Sequence, residues 1–238
     1  MEWNDYDAAL FDLDGVVTPT ALVHMRAWDQ LFAPFLQTKG ITPAYTDADY
    51  FAYVDGKPRY EGVRSLLASR GVTLPEGEPT DAVDLETVCG LGNRKNDVFA
   101  KILANEGVEP YPGSVALLDE LTRRGVKMAI VSSSRNAPSV LKAAGLSERF
   151  EIVVDGVVAA ENALAGKPAP DTFSFAARKL GVPDERAVVF EDALSGVAAG
   201  HAGAFGLVIG VNRGAGTDEL VAAGADLVVD DLAELVSQ

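Results

Sequence analysis

Only one of the 238 residues is a cysteine, Cys89, so the chain holds no intrachain disulfide framework and no zinc site built from several thiolates. That scarcity fits a reducing compartment, and Cys89 reads as an inert small hydrophobe. The sequence also lacks an apolar run long enough to span a bilayer. Its opening, Met1-Glu2-Trp3-Asn4-Asp5, lacks the basic stretch and apolar core of a secretory leader, so a soluble cytoplasmic protein is expected. Basic residues are outnumbered, with 20 Lys and Arg against 35 Asp and Glu, a net charge of −15. An acidic surface disfavours non-specific binding to nucleic acid or anionic membranes, and neither is expected as a partner. A phosphorylated substrate would need lysine or arginine gathered locally. No internal repeat and no low-complexity segment is present. What remains, 48% hydrophobic and 23% charged residues, is the balance of a globular protein. The length suits one large domain or two modest ones.

Two textures divide the chain. Residues 7–11 read as a buried strand ending near a glycine. From about Tyr111 onward, short apolar runs (126–132, 151–155, 187–191, 205–211 and 226–229) alternate with helical patterns (114–124, 137–144, 171–180, 196–202 and 217–223). That alternation implies parallel strands joined by crossover helices, an α/β fold. Gly125, Gly145 and Gly181 follow helical segments as left-handed C-terminal caps would. Residues 20–107 differ. Apolar positions recur at helical spacing in 22–36, 60–67 and 98–104, with no strand between them, and 38–49 and 71–84 are rich in turn formers. They read as a helical insert, giving a core of residues 1–19 and 108–238 and a helical domain of residues 20–107.

Asp12 and Asp14 stand at the end of the first strand, in Phe11-Asp12-Leu13-Asp14-Gly15-Val16. Alternate side chains of a strand share a side, and two like charges that close repel unless a cation or a proton intervenes. A hard divalent metal, a phosphate site or both would resolve the conflict; a strand running into an Asp- and Gly-rich turn is the plainer alternative. Three further groups sit at or beyond strand ends: Ser132-Ser133-Ser134, Lys167 in Gly166-Lys167-Pro168-Ala169-Pro170-Asp171, and Glu191-Asp192. All four could converge at the carboxyl-end crevice of an open sheet. Four carboxylates can hold Mg²⁺ through oxygen ligands, while a hydroxyl and an ammonium hold phosphate oxygens. An aspartate could then act as nucleophile and a second carboxyl as general acid and base.

These four motifs, in this order, resemble those of the haloacid dehalogenase superfamily of phosphotransferases. The insert resembles its helical-cap subclass. The resemblance implies a Rossmann-like core with a parallel sheet, helices on both faces and an inserted helical cap. Within the superfamily, Thr20-Ala21 and His24-Met25-Arg26-Ala27-Trp28, Asp55-Gly56-Lys57-Pro58-Arg59, Arg94-Lys95-Asn96-Asp97 and Ser132-Ser133-Ser134-Arg135-Asn136 resemble the β-phosphoglucomutase subfamily. Pro19 and Arg135 depart from that pattern, and residues 155–165 match it poorly.

The resemblance implies Asp12 as the nucleophile that carries the phosphoryl group and Asp14 as the general acid and base. Mg²⁺ would be held by Asp12, the backbone carbonyl of Asp14 and Asp192, with Glu191 in or near the shell. Ser132, Ser133, Lys167 and Asn136 would bind phosphate. Arg59, Lys95, His24 and Trp28 would meet substrate from the cap, and Thr20 would lie in its hinge. Several residues also have plainer readings. Asn136 would cap the following helix, Lys95 would cover apolar surface with its stem, and Trp28 would pack in the core. Gly90-Leu91-Gly92 lacks the third glycine and the preceding strand of a dinucleotide site.

The implied activity is interconversion of β-D-glucose 1-phosphate and D-glucose 6-phosphate through glucose 1,6-bisphosphate. A phosphatase of small sugar phosphates is the second reading, and a non-catalytic Mg²⁺- or phosphosugar-binding domain the third. The expected oligomeric state is a monomer.

Overall fold

The structure, a computed structural model, describes residues 3–236. In chain order it runs β1 (Ala8–Phe11), α1 (Thr20–Lys39), α2 (Asp47–Asp49), α3 (Arg59–Ser69), α4 (Val88–Glu106), α5 (Pro112–Arg124), β2 (Lys127–Val131), α6 (Ala137–Ala143), β3 (Ile152–Val154), α7 (Gly156–Glu161), α8 (Asp171–Leu180), β4 (Ala187–Glu191), α9 (Leu194–Ala202), β5 (Leu207–Val211), α10 (Thr217–Ala223) and β6 (Leu227–Val229). The chain divides into two compact units, one of Met1–Thr20 with Val108–Gln238 and one of Ala21–Gly107.

The first unit is built on a six-stranded parallel sheet in the order β3-β2-β1-β4-β5-β6. The α/β fold read from the sequence is therefore the fold adopted. β1 lies inside the sheet because Ala8-Ala9-Leu10-Phe11 is apolar on both faces, as a strand covered by helices on both sides must be. Its Leu10 pairs with Ala129 of β2 and Val189 of β4. On one face Ala8, Leu10, Val131 and Val189 meet Phe173, Ala176 and Leu180 of α8. On the other, Phe11 stacks on Phe190 with ring centroids 4.5 Å apart, and Phe150 meets Phe11 edge-on. The helix ends follow local chemistry. Pro112 opens α5, where a missing N–H costs nothing. Gly125 and Gly181 close α5 and α8 in the left-handed conformation.

The strand order reverses direction at β1: β2 lies on one side and β4 on the other. The carboxyl ends of these neighbouring strands enclose the switch-point crevice in which open α/β sheets bind ligands. β1, β2 and β4 lead respectively into Asp12, Ser132 and Asp192.

The second unit is helical. Its core gathers Trp28, Leu31, Phe32 and Leu36 of α1 with Val63, Leu66 and Leu67 of α3 and Val88 and Leu91 of α4. α4 begins ten residues before the apolar period read over 98–104, because Gly90 and Gly92 interrupt that period. Both glycines permit close packing: a Cβ at Gly90 would lie 2.4 Å from the Leu85 carbonyl oxygen, and one at Gly92 would lie 2.7 Å from the Tyr60 ring. Thr87 caps the helix by accepting from the Gly90 N–H. The segment after β3 is also helical. Asp155 accepts from the N–H groups of Val157 and Val158, each at 2.9 Å, and so starts α7. Among the described residues, no helix is long and apolar enough to cross a membrane.

Candidate active site

Asp12 follows the last residue of β1, and its N–H donates to the Phe190 carbonyl of β4. The backbone thus stays in the ladder while the carboxylate stands at the strand's end, only 6% exposed. Lys167, 3% exposed, donates to Asp12 Oδ1 at 2.5 Å, to the Val131 carbonyl at 3.2 Å and to Glu191 Oε1. Glu191 is wholly buried, and its other oxygen accepts from the Ala193 N–H at 2.9 Å. Lys167 therefore links the ends of β1, β2 and β4 and lies over the Phe173 ring at 5.0 Å.

The electrostatics of this group are unbalanced. Burial raises the Asp12 pKa well above the usual carboxylate range; Lys167 opposes the rise, and Glu191 and Asp14 add to it. Burial also works against the charge of Lys167, but the Asp12 and Glu191 carboxylates outweigh it and hold the amine's pKa above the ordinary lysine value. One ammonium thus faces an excess of carboxylates in a site of low dielectric, which calls for a proton or a further cation.

Asp14 occupies the turn after β1. Its Oδ1 accepts from Thr20 Oγ1 at 2.5 Å, and its Oδ2 lies 3.4 Å from Ser132 Oγ. Thr18 Oγ1 and Thr20 Oγ1 are 2.7 Å apart, and both threonines are buried. Gly15 allows the turn: its φ of +91° is disfavoured for residues with a side chain, and a Cβ there would lie 1.8 Å from Asp192 Oδ2. The Asp192 carboxylate therefore sits directly against the Gly15 backbone.

Among the described residues, no three His, Cys, Asp or Glu side chains converge on one ion position. The nearest oxygen donors are the Asp12 carboxylate at the end of β1 and, after β4, the Asp192 carboxylate, which lies against Gly15 in the turn that follows Asp14. Few carboxylates, supplemented by a backbone carbonyl, would suit a hard divalent cation of the Mg²⁺ type. Glu191, whose two oxygens are taken by Lys167 and Ala193, is placed to orient the lysine.

Ser132 is buried, and its Oγ accepts from the Ser134 N–H at 3.0 Å. Ser133 lies between these partners in the loop after β2. Asn136 stands at the N-cap of α6 without a side-chain cap bond, unlike the capping expectation; the Ser134 hydroxyl accepts from its N–H instead.

In the helical unit Lys95 is 2% exposed and hydrogen-bonds His24 Nδ1 at 2.5 Å. Its ammonium lies 5.0 Å from the Trp28 ring centroid and 4.9 Å from that of Phe99. Trp28 is a buried core residue stacked on Phe32 at 5.3 Å, so packing rather than an open sugar platform is its observed role. Arg59 donates to Asn96 Oδ1 at 2.7 Å.

The sequence reading missed Arg213, Tyr111 and Thr18. Arg213 Nε donates to the Gly15 carbonyl at 3.0 Å, and its guanidinium lies 4.0 Å over the Tyr111 ring. The available signal was modest: a lone arginine just past β5, 198 residues from its partner.

With this geometry the chain falls into a known class. It belongs to the haloacid dehalogenase-like hydrolase family, whose model matches residues 6–203. More particularly, it is 49% identical over 238 residues to the β-phosphoglucomutase of Mycobacterium bovis, covering 96% of this chain and 91% of that one. The crystal structure of β-phosphoglucomutase from Clostridium difficile matches with a TM-score of 0.77 at 27% identity, over 97% of this chain and 93% of the other. CbbY from Rhodobacter sphaeroides, in complex with xylulose-(1,5)bisphosphate, matches with a TM-score of 0.75 at 25% identity, over 97% and 96%. The β-phosphoglucomutase homologues are phosphotransferase enzymes.

Proposed function

We propose that this chain interconverts β-D-glucose 1-phosphate and D-glucose 6-phosphate through glucose 1,6-bisphosphate, with Asp12 as the phosphoryl carrier. The observation that carries the proposal is the buried Asp12 carboxylate at the switch point, held by Lys167 beside Asp14, in a chain 49% identical to a β-phosphoglucomutase.

Asp12 attacks the phosphorus, and the carboxylate becomes an aspartyl phosphate. Asp14 protonates the leaving sugar oxygen, then accepts the proton of the attacking hydroxyl when the phosphoryl group returns. Its bond to Thr20 holds that carboxyl in place. Ser132 and Lys167 stabilise charge on the transferring oxygens, the main source of acceleration in phosphoryl transfer. Ser133 and Asn136 extend this phosphate loop. Mg²⁺, held by Asp12, the Asp14 carbonyl and Asp192, would supply positive charge beside the phosphoryl group. Arg59 binds the second phosphate of the bisphosphate, supported by Asn96, and the Lys95–His24 pair contacts substrate. We further propose a cytoplasmic monomer, in keeping with the single cysteine.

Hydrolysis of a small sugar phosphate is the second reading, favoured by the match to the haloacid dehalogenase-like hydrolase family. An assay with β-D-glucose 1-phosphate, Mg²⁺ and a trace of glucose 1,6-bisphosphate separates the two. Glucose 6-phosphate with little free phosphate is the expected outcome. Free phosphate alone would replace the mutase with a phosphatase.

A further inference from the structure

The turn that carries Asp14 is tied down through successive backbone carbonyls. Gly15 O accepts from Arg213 Nε at 3.0 Å, Val16 O from Ser114 Oγ at 2.7 Å, and Val17 O from the Tyr111 N–H at 3.0 Å. Thr18 O accepts from the Gly15 N–H at 2.7 Å. Three of these ties are neutral and local to the turn or to the start of α5. The fourth comes from the other end of the chain and is the only one made by a charged donor, which makes it a stronger bond.

Arg213 is itself fixed on two more sides. Nη1 donates to the Asp230 carbonyl after β6 at 2.9 Å, and the guanidinium lies 4.0 Å over the Tyr111 ring. The third nitrogen, Nη2, is buried with no hydrogen-bond partner, so the guanidinium is placed by the two carbonyls and the ring. Its planar fork suits that task, since one group spans two acceptors while stacking on an aromatic face. The carbonyl it holds belongs to Gly15, and Gly15 lies against the Asp192 carboxylate, where even a Cβ would lie 1.8 Å from Oδ2. Arg213 thus holds the Gly15–Val16 peptide, and the Gly15 Cα between that peptide and the Asp14 carbonyl lies directly against the Asp192 carboxylate.

We propose that Arg213 is a positioning residue for the divalent cation: by clamping the Gly15 carbonyl it fixes the spacing between the Asp14 backbone oxygen and the Asp192 carboxylate. This rests on the metal assignment proposed above but not on the identity of the sugar. Partners one step removed from a metal typically contribute 10- to 100-fold in affinity or activity.

The test uses the full-length protein without substrate, titrated with Mg²⁺ by calorimetry and with Mn²⁺ by electron paramagnetic resonance. Arg213→Met is expected to weaken both ions by roughly 10-fold or more, and Arg213→Lys by less, because lysine keeps a charge but cannot span two carbonyls and stack. With substrate present at saturating Mg²⁺, kcat should recover while KM for the sugar phosphate stays near wild type. Wild-type affinity in a folded Arg213→Met protein would overturn the proposal. If Arg213→Met does not fold, Arg213→Lys decides in the same way: unchanged affinity overturns the proposal, and weakened affinity supports it. Weakened ion binding in a protein that turns over a different phosphate ester would support the clamp while refuting the mutase.

Discussion

At the scale of single residues, the same carboxyl group has different work according to what surrounds it. Asp12 is buried against an ammonium, Asp14 hydrogen-bonds a threonine, and Glu191 is spent on Lys167 and a backbone N–H. Asp12 and Arg59 can be told apart by a paired experiment on the glucose phosphate and on a simple aryl phosphate. Asp12→Asn should abolish turnover of both, because the amide cannot carry the phosphoryl group. Arg59→Ala should cost the mutase reaction on the order of 10- to 100-fold, the contribution of a charged hydrogen bond, and leave aryl phosphate hydrolysis near wild type. Equal losses would remove Arg59 from the distal-phosphate role. The types and order of the acidic motif residues were legible because each closes an apolar strand. Arg213 was not, because its partner is a backbone carbonyl, which leaves no mark in the sequence.

At the scale of elements, the strands and the glycine-capped helices of the α/β unit follow the period read from the sequence. The exceptions have local causes. α4 is longer than its apolar period because two glycines stand where neighbouring backbone and Tyr60 approach closely. α7, in a segment that matched the subfamily poorly, depends on its cap. Val157 and Val158 have modest helix propensity, yet Asp155 satisfies both their N–H groups. Asp155→Ala should destabilise the protein by about 1–2 kcal/mol in urea unfolding, near the upper range for a lost N-cap. Asp155→Asn should recover most of the loss. An unchanged midpoint for Asp155→Ala would show that tertiary packing alone holds α7.

At the scale of the whole molecule, the charge of −15 sets the response to acid. Side-chain bonds from Arg123 and Arg124 pull the Glu120 carboxyl down from 4.5 to about 2. Arg186 lowers Asp7, and Arg26 lowers Glu106. Each folded pKa lies below its unfolded value, so the unfolded chain binds more protons as pH falls. The stabilisation is present above the unfolded pKa and is lost, for Glu120, between about pH 4.5 and 2. The groups are exposed and screened, so each effect is small. Lower pH also relieves the repulsion of a strongly acidic surface, and the informative quantity is a difference. Melting temperatures of Glu120→Gln should fall less steeply through that window than those of wild type. Parallel curves would show that these ion pairs add nothing.

Hydrophobic periodicity and strand-end polar residues are local, and they determined the α/β class, the helical insert and the motif residues around Asp12. The sequence by itself also supplied the acidic charge and the near absence of cysteine. Tertiary structure alone decided which of those side chains touch. It placed Lys167 between Asp12 and Glu191, put Trp28 in a core, and brought Arg213 to Gly15. The physical reason is that burial and hydrogen bonding across 24 to 198 residues depend on where the strands pair, not on neighbouring residues in the chain.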